Sequence, residues 1–148
     1  MSSLAELFYH QGDAAQAITQ ERRALALREQ LPGPADRVIS HHNLGIFLDH
    51  SSTALTVAEA SRHQLAALIY IVVAGFGQDL QTSLRNYASG FRRAHSAGSA
   101  LTVPRVVELL ADPAFRPLEE WLRQRQAEVA EVQAAVDQFL EQARQAAM

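Results

Sequence analysis

The 148-residue sequence contains no cysteine. This absence excludes a disulfide framework and thiol chemistry, and it removes the usual ligands of structural zinc sites. A reducing compartment fits such a composition, so we expect a cytoplasmic protein. The opening residues Met1, Ser2 and Ser3 bring neither a basic segment nor a long apolar one. We therefore expect no signal peptide.

Strong net charge and long apolar runs are lacking as well. The formal net charge is -3, so no domain-wide basic field is present to replace the counterions of a phosphate backbone. The most apolar window is residues 65–74, about half of the roughly 20 residues that a membrane-spanning helix needs. We expect neither nucleic-acid binding nor a membrane span, and we interpret this window as a buried helix.

Glycine and proline are few, and several of them occur where helices are expected to end. A helix beginning at Leu4 is predicted to stop at Gly12, and Asp13 is placed to cap the next helix. That helix stops before residues 31–34, Leu-Pro-Gly-Pro. Gly75 and Gly77 are predicted to end the apolar helix, and Thr56 with Glu59 forms a capping box that predicts its start near Val57.

The same pattern of small and apolar residues occurs twice. Three pairs of positions are each 40 residues apart: Leu4 and Leu44, Ala5 and Gly45, Phe8 and Leu48. Two alanine pairs are 43 apart, Ala17 with Ala60 and Ala24 with Ala67. The difference indicates three extra residues in the second turn, near residues 51–53. Small residues at these positions allow helices to approach closely, which favours a stacked repeat.

A third copy is predicted from about Leu80, where Tyr87, Ala88 and Phe91 take the equivalent positions. Its second helix is irregular, begins near Pro104 and closes at Asp112-Pro113. Residues 118–146 contain neither glycine nor proline. We therefore predict one long terminal helix there.

These positions resemble the tetratricopeptide repeat over residues 4–98. The segment after Ala24, with its Pro-Gly turn and the later His42-Asn43-Leu44-Gly45, looks most like the longer-period variety of kinesin light chains and bacterial signalling proteins. The resemblance implies a right-handed array of helix pairs whose first helices line a concave surface. Such a surface takes an extended peptide or a partner helix, and repeats of this kind are as a rule not catalytic.

The predicted architecture is accordingly all-α, with about seven helices and no strands. We assign a single domain, 1–148, with repeat 1 at 4–30, repeat 2 at 39–75, a degenerate repeat 3 at 79–111 and a C-terminal capping or dimerisation helix at 113–146. A closed up-and-down helical bundle is the alternative.

The concave surface is predicted to carry the binding residues, which precede or follow the packing positions: Tyr9, His42, Asn43, Asp49, Arg85, Asn86 and Arg92. The resemblance implies that Asn43 and Asn86 bond a peptide backbone, and the alternative is that they belong to an ordinary polar face. Arg85, Arg92, Arg93 and His95 form the one concentrated basic feature. It is either a solvated face or a site for an acidic group such as a carboxylate.

Catalytic and metal sites are not indicated. His41, His42 and His50 share a helix, but His42 and His50 lie eight apart, whereas metal ligands on a helix normally lie three or four apart. The serines at 40, 61, 83, 89 and 96 fall in predicted helices, without the strand-to-helix turn that exposes a nucleophile. We expect no enzyme, no cofactor and no metal.

The sequence therefore predicts a non-catalytic protein-interaction module that is a fragment of a longer repeat protein. The alternative is a self-assembling structural or regulatory domain. It depends on an apolar stripe close to a heptad seam, formed by Leu118, Leu122, Val129, Val132, Val136, Phe139 and Ala143. Either this stripe packs back along the array, with Trp121 and Leu122 sealing its end, or it meets a second copy in a homodimer.

Overall fold

The computed structural model describes the backbone of residues 3–50, 54–99 and 101–147. In these ranges the regular elements are eight α-helices and one 3₁₀ turn, Pro113–Phe115, with no strand. The helices are α1 Ser3–His10, α2 Ala14–Arg28, α3 Ala35–His50, α4 Ala54–Ala74, α5 Gly77–Ser96, α6 Val106–Ala111, α7 Arg116–Gln124 and α8 Val129–Ala146. The prediction of an all-α protein is confirmed. None of the helices in these ranges has the length and apolar character needed to cross a bilayer.

Glycine ends helices where the sequence predicts it. Gly12 has φ 81° and Gly75 has φ 80°, a left-handed conformation that glycine adopts without steric penalty. After Gly12, the Asp13 carboxylate accepts a 3.1 Å hydrogen bond from the Gln16 backbone N–H. The predicted cap of α2 is therefore confirmed. Gly77 differs from the prediction, because it opens α5 and does not terminate α4.

The start of α4 also differs from the prediction. The helix begins at Ala54 and not near Val57, so Thr56 lies inside its first turn and cannot be the residue that precedes the helix. The side chain of Thr56 and the predicted insertion at 51–53 lie outside the described residues.

The chain divides into two compact units, Met1–Ala67 and Leu68–Met148. In the first unit α2 packs against both α1 and α3. One core cluster joins Leu25 of α2, Leu44 and Leu48 of α3, and Ala60 of α4. A second joins Ala5, Ala17 and Phe47. The small residues of the repeat pattern thus occupy the interfaces between helices.

At Gly45 the helices α3 and α4 approach each other closely. A β-carbon built at Gly45 would lie 2.7 Å from Gln64 Cγ and 3.5 Å from the Ala60 carbonyl oxygen. Both neighbours belong to α4, so the missing side chain lets α3 and α4 meet at short range. This supports the interpretation of Gly45 as a helix-packing position.

The second unit is organised around α5. The helix packs against α8, and Tyr87 of α5 meets Phe139 of α8 edge to face at 6.2 Å between ring centroids. The predicted partner of α5 in repeat 3 is α6, which has only six residues. Such a helix is about 9 Å long, against about 30 Å for the 20 residues of α5. The longer α8 supplies the packing surface that α6 is too short to provide.

The prediction of one continuous terminal helix is wrong. The segment is divided into the 3₁₀ turn, α7 and α8. Gln126 adopts φ 56°. The Gln126 N–H donates to the Arg123 carbonyl, and the Ala127 N–H donates to the Leu122 carbonyl, both at 3.0 Å. These two bonds are the Schellman arrangement that ends helices, here with glutamine in the position that glycine usually takes.

The apolar stripe of this segment is covered within the chain. Leu118, Leu122, Val132, Val136, Phe139 and Ala143 are buried, and of the seven seam residues only Val129 is exposed, at 40%. Trp121 is buried too, with its ring 4.8 Å from that of Tyr70. The stripe is therefore part of the core of the second unit. An uncovered seam, on which the homodimer alternative depends, is absent from these residues.

Candidate functional site

Four of the seven predicted groove residues lie in the first unit. Tyr9 is on α1, and its ring lies 4.8 Å from that of Phe47. His42, Asn43 and Asp49 are on α3, all half-buried. Together with Ile39 and Ile46 they occupy the accessible side of a helix whose other side is buried. These α3 side chains are therefore partly accessible to solvent.

The other three residues lie on α5 in the second unit. Arg85 and Arg92 are exposed and Asn86 is half-buried. Arg92 Nη1 donates to the Ala146 carbonyl at 3.3 Å, so its guanidinium meets the negative end of the α8 dipole. Near this point the Arg144 guanidinium carbon lies 5.1 Å from the centre of the Phe91 ring. Part of the basic character of α5 is thus used to hold α8.

Asn43 has a contact that the sequence did not indicate. Its Nδ2 donates to Glu21 Oε1 at 3.0 Å, which gives the amide a structural partner across the α2–α3 interface. The proposal that Asn43 bonds a peptide backbone stays a prediction. A test of it has to separate binding from the stability that this hydrogen bond provides.

Glu21 is the centre of a buried polar network between α2 and α3. Its side chain is fully buried, at 0% exposure. Besides the bond from Asn43, it accepts a 2.9 Å bond from Ser40 Oγ and lies 3.5 Å from Arg28 Nη1. Arg28 Nη1 also donates to Ser40 Oγ at 2.6 Å. Paired in this way, a carboxylate and a guanidinium can be buried together without leaving an isolated charge.

The position of Glu21 on α2 is a sequence signal for this network, although the apolar periodicity by itself does not indicate it. Glu21 lies four residues after Ala17 and four before Leu25, on the buried stripe of α2, and Arg28 continues that stripe. A charged residue inside an apolar stripe predicts a buried partner on the facing helix. The partner residue, Ser40, occupies the equivalent side of α3.

A second polar group joins α3 to α4. His41 Nδ1 and His63 Nδ1 are 2.9 Å apart, and the two rings stack with centroids 5.1 Å apart. His63 Nε2 lies 3.6 Å from Glu59 Oε2. The same carboxylate receives Arg22 Nη2 at 2.8 Å and 2.9 Å. Two imidazoles, a carboxylate and a guanidinium thus extend from the core to the surface.

The surroundings of this group shift two pKa values. Burial lowers the pKa of His41 well below its ordinary value, and the nearby His63, His42 and Arg37 lower it further. The pKa of Glu59 is lowered by its interaction with His63, against the effect of partial burial, and Arg22 lowers it further. His41 is therefore neutral and Glu59 ionised near neutral pH.

Arg37 fixes the turn that precedes α3. Its Nη2 donates to the carbonyl of Glu29 at 2.9 Å and to that of Leu31 at 3.0 Å. These carbonyls follow the end of α2, where helical partners are missing and a cation is favoured. Partial burial raises the pKa of Glu29, and Arg37 lowers it to a smaller extent. The turn places Ser40 and His41 against their neighbours on α2 and α4.

These polar groups have the geometry of structural pairing. Ser40 Oγ is buried and engaged on both sides, by Arg28 as donor and Glu21 as acceptor, so it is not presented to a substrate. Among the described residues no three His, Asp or Glu side chains are arranged to hold a metal ion. The side chain of His50, one of the three histidines considered as ligands, lies outside the described residues. That the protein has no cofactor and no enzymatic activity remains a prediction.

No protein-family model matches the sequence, and comparisons with curated proteins and with solved structures give no significant match. The resemblance to the tetratricopeptide repeat therefore depends on the residues alone. The helical character and the helix-packing positions are observed, whereas the right-handed array and its concave groove remain proposals.

Proposed function

We propose that the chain is a non-catalytic protein-interaction module of the tetratricopeptide-repeat kind, which binds a peptide or a helix of a partner protein on its first helices. One observation carries the proposal. On α3 the repeat-packing residues Leu44, Gly45 and Leu48 are buried, while His42 and Asp49 remain accessible on the other side. A helix that presents polar side chains from a rigid packed scaffold is suited to recognise a partner.

The basic residues of α5 extend the proposal to the second unit. Arg85 and Arg92 are seven residues apart, two helical turns, and both are exposed. Arginine at such positions favours a partner with carboxylate groups, because the guanidinium can form two parallel hydrogen bonds with a carboxylate. We treat the α3 face and the α5 face as separate binding surfaces, each tested by its own variants.

The alternative proposal is self-assembly through the C-terminal stripe. Its residues are buried in the second unit apart from Val129, so no specific feature of the described residues favours it. Light scattering on the intact chain measures the oligomeric state directly. A monomer at micromolar concentration eliminates this alternative.

The main experiment selects peptides from a displayed library on the immobilised chain and measures their affinity by calorimetry. Two double variants address the two faces: His42→Ala with Asp49→Ala, and Arg85→Glu with Arg92→Glu. We expect one of them to weaken binding at least about tenfold, equivalent to about 1.4 kcal/mol. Arg23→Glu, an exposed change on α2, is the control and should leave the affinity unchanged.

Circular dichroism on each variant verifies that the helices are retained. Failure to obtain a saturable peptide with one-to-one stoichiometry contradicts the proposal, as does a peptide that binds both double variants as tightly as the unchanged chain.

A further inference from the structure

The buried histidine pair has a property that ordinary hydrogen-bonded pairs lack. Two Nδ1 atoms 2.9 Å apart form a hydrogen bond only when one carries a proton and the other does not. At most one of the two rings can therefore be positively charged while the contact exists. His41 and His63 are only 1% and 7% exposed, so water has little access to replace the hydrogen bond between the two rings.

The position of Glu59 determines which ring is the donor. An ionised carboxylate only accepts hydrogen bonds, so His63 Nε2, 3.6 Å from Glu59 Oε2, is assigned the proton. In the neutral pair the Nδ1 of His63 is then the acceptor, and the Nδ1–H of His41 is the donor. Adding a proton to His63 reverses this bond, and adding one to each ring abolishes it.

Charged groups from each neighbouring helix oppose the second proton. From α3, Arg37 and His42 act on His41, and from α4, His63 does so. His63 contacts the carboxylate of Glu59 on α4, which is also engaged by Arg22 of α2 at 2.8 Å. The carboxylate of Glu21 on α2 is held by Arg28, Ser40 and Asn43.

We propose that the His41–His63 pair is a proton-operated latch, which holds α3 against α4 near neutral pH and releases this packing when the surroundings acidify toward about pH 5. The latch goes beyond the proposed binding function and does not require a partner. If α3 also binds a partner, acidification disturbs the helix that carries that face.

The direction of the effect follows from linkage. The pKa of His41 in the folded chain is lowered, so the unfolded chain binds more protons below about pH 6.5. Stability is therefore complete above that pH and is lost as the pH falls. For each proton excluded from the folded state, the folding equilibrium constant decreases about tenfold per pH unit. From pH 6.5 to pH 5.0 this amounts to about 30-fold.

Two carboxylates titrate close to this range and have to be separated from the histidines. The pKa of Glu59 is lowered, so Glu59 stays ionised above pH 5. The pKa of Glu29 is raised, and its protonation acts in the opposite sense by stabilising the folded chain on acidification. Both residues are present in every variant compared, so their effects cancel in the difference.

The test compares urea unfolding of the full chain at pH 7.5 and pH 5.0 with that of two variants. His41→Asn retains a side-chain donor in place of the Nδ1–H and removes the titration. His95→Asn alters an exposed histidine of α5 and is the control. Between pH 7.5 and pH 5.0, we expect the folding equilibrium constants of the unchanged chain and of His95→Asn to decrease about 30-fold more than that of His41→Asn.

Nuclear magnetic resonance of the unchanged chain gives a second readout, which does not depend on a variant that folds. Long-range ¹H–¹⁵N spectra report the tautomer and the titration of each imidazole. We expect the His41 ring to remain neutral as long as α3 and α4 stay protected, with amide protection lost first in these two helices as the pH falls. The proposal is overturned if His41 titrates near pH 6.5 with α3 and α4 still protected, or if His41→Asn shows the same pH dependence as the unchanged chain.

Discussion

Replacement of Glu21 by alanine tests the buried network directly. The carboxylate has 0% exposure and receives hydrogen bonds from Ser40 and Asn43. Its removal takes away the carboxylate that lies 3.5 Å from Nη1 of Arg28, a residue that is itself only 8% exposed. The change therefore breaks a buried ion pair from one side, the situation in which loss of a salt bridge is most destabilising.

The expected magnitude follows from the contacts. Hydrogen bonds to a charged group contribute about 1.5–3 kcal/mol each, and breaking a buried ion pair by removing one partner costs about 3–5 kcal/mol. These two terms overlap, because they describe the same carboxylate. We therefore expect Glu21→Ala to lower the free energy of unfolding by about 4 kcal/mol, a large share of the 5–15 kcal/mol typical of domains.

Urea unfolding followed by circular dichroism at pH 7.5 measures this loss. With a slope of about 2 kcal/mol per molar urea, the midpoint should fall by about 2 M. Glu6→Ala, an exposed position on α1, is the control and should change stability by less than about 0.5 kcal/mol. A double variant, Glu21→Met with Arg28→Met, should be more stable than Glu21→Ala because no buried charge is left unpaired.

Two results would refute this reasoning. A loss below about 1 kcal/mol for Glu21→Ala means that the network contributes no more than a surface pair. A double variant less stable than the single one means that Arg28 does not depend on the carboxylate.

Four further substitutions have effects of either sign. Tyr87→Phe should stabilise the fold by about 1 kcal/mol, because a buried unsatisfied polar group costs about 1–3 kcal/mol. The buried Tyr87 hydroxyl has no hydrogen-bond partner among the described residues. An unchanged or lower melting temperature contradicts this prediction. Gly45→Leu should destabilise the fold by about 1–3 kcal/mol, because a side chain there meets Gln64 at 2.7 Å. Gly90→Ala meets only the end of the Leu101 side chain, at 3.3 Å, and should stabilise by up to about 1 kcal/mol through its higher helix propensity. Equal effects of the two substitutions in urea unfolding refute the packing role of Gly45. Gln126→Gly should stabilise by about 1 kcal/mol by relieving the left-handed φ of 56°, and a lower urea midpoint would argue against that assignment.

The positions of most helices could be predicted because their signals are local. Gly12 and Gly75 end helices through their own backbone freedom, and Asp13 caps α2 through its own side chain. The end of α7 could not be predicted in this way. At Gln126 the left-handed residue is not glycine, and the Schellman bonds that end the helix depend on the backbone geometry and not on a characteristic residue.

In the candidate site too, local features could be predicted from the sequence and contacts between helices could not. Repeat spacing identified the side of α3 that carries His42 and Asp49, because helical periodicity relates residues of one face. Two contacts between helices, Asn43 with Glu21 and His41 with His63, each join residues that are 22 positions apart in the sequence. A pairing between helices depends on their rotation and separation, which periodicity along one helix does not specify.

By itself, then, the sequence determined the helical class, the main helix ends and the small residues that let helices approach, since each of these depends on the local chain. Only the tertiary structure decided that Glu21 is buried with Arg28 and Ser40, that two histidines share one hydrogen bond, and that α8 covers α5. The physical reason is that burial and pairing depend on which faces of distant helices meet. Charged and apolar side chains alike acquire their roles only when that packing excludes water.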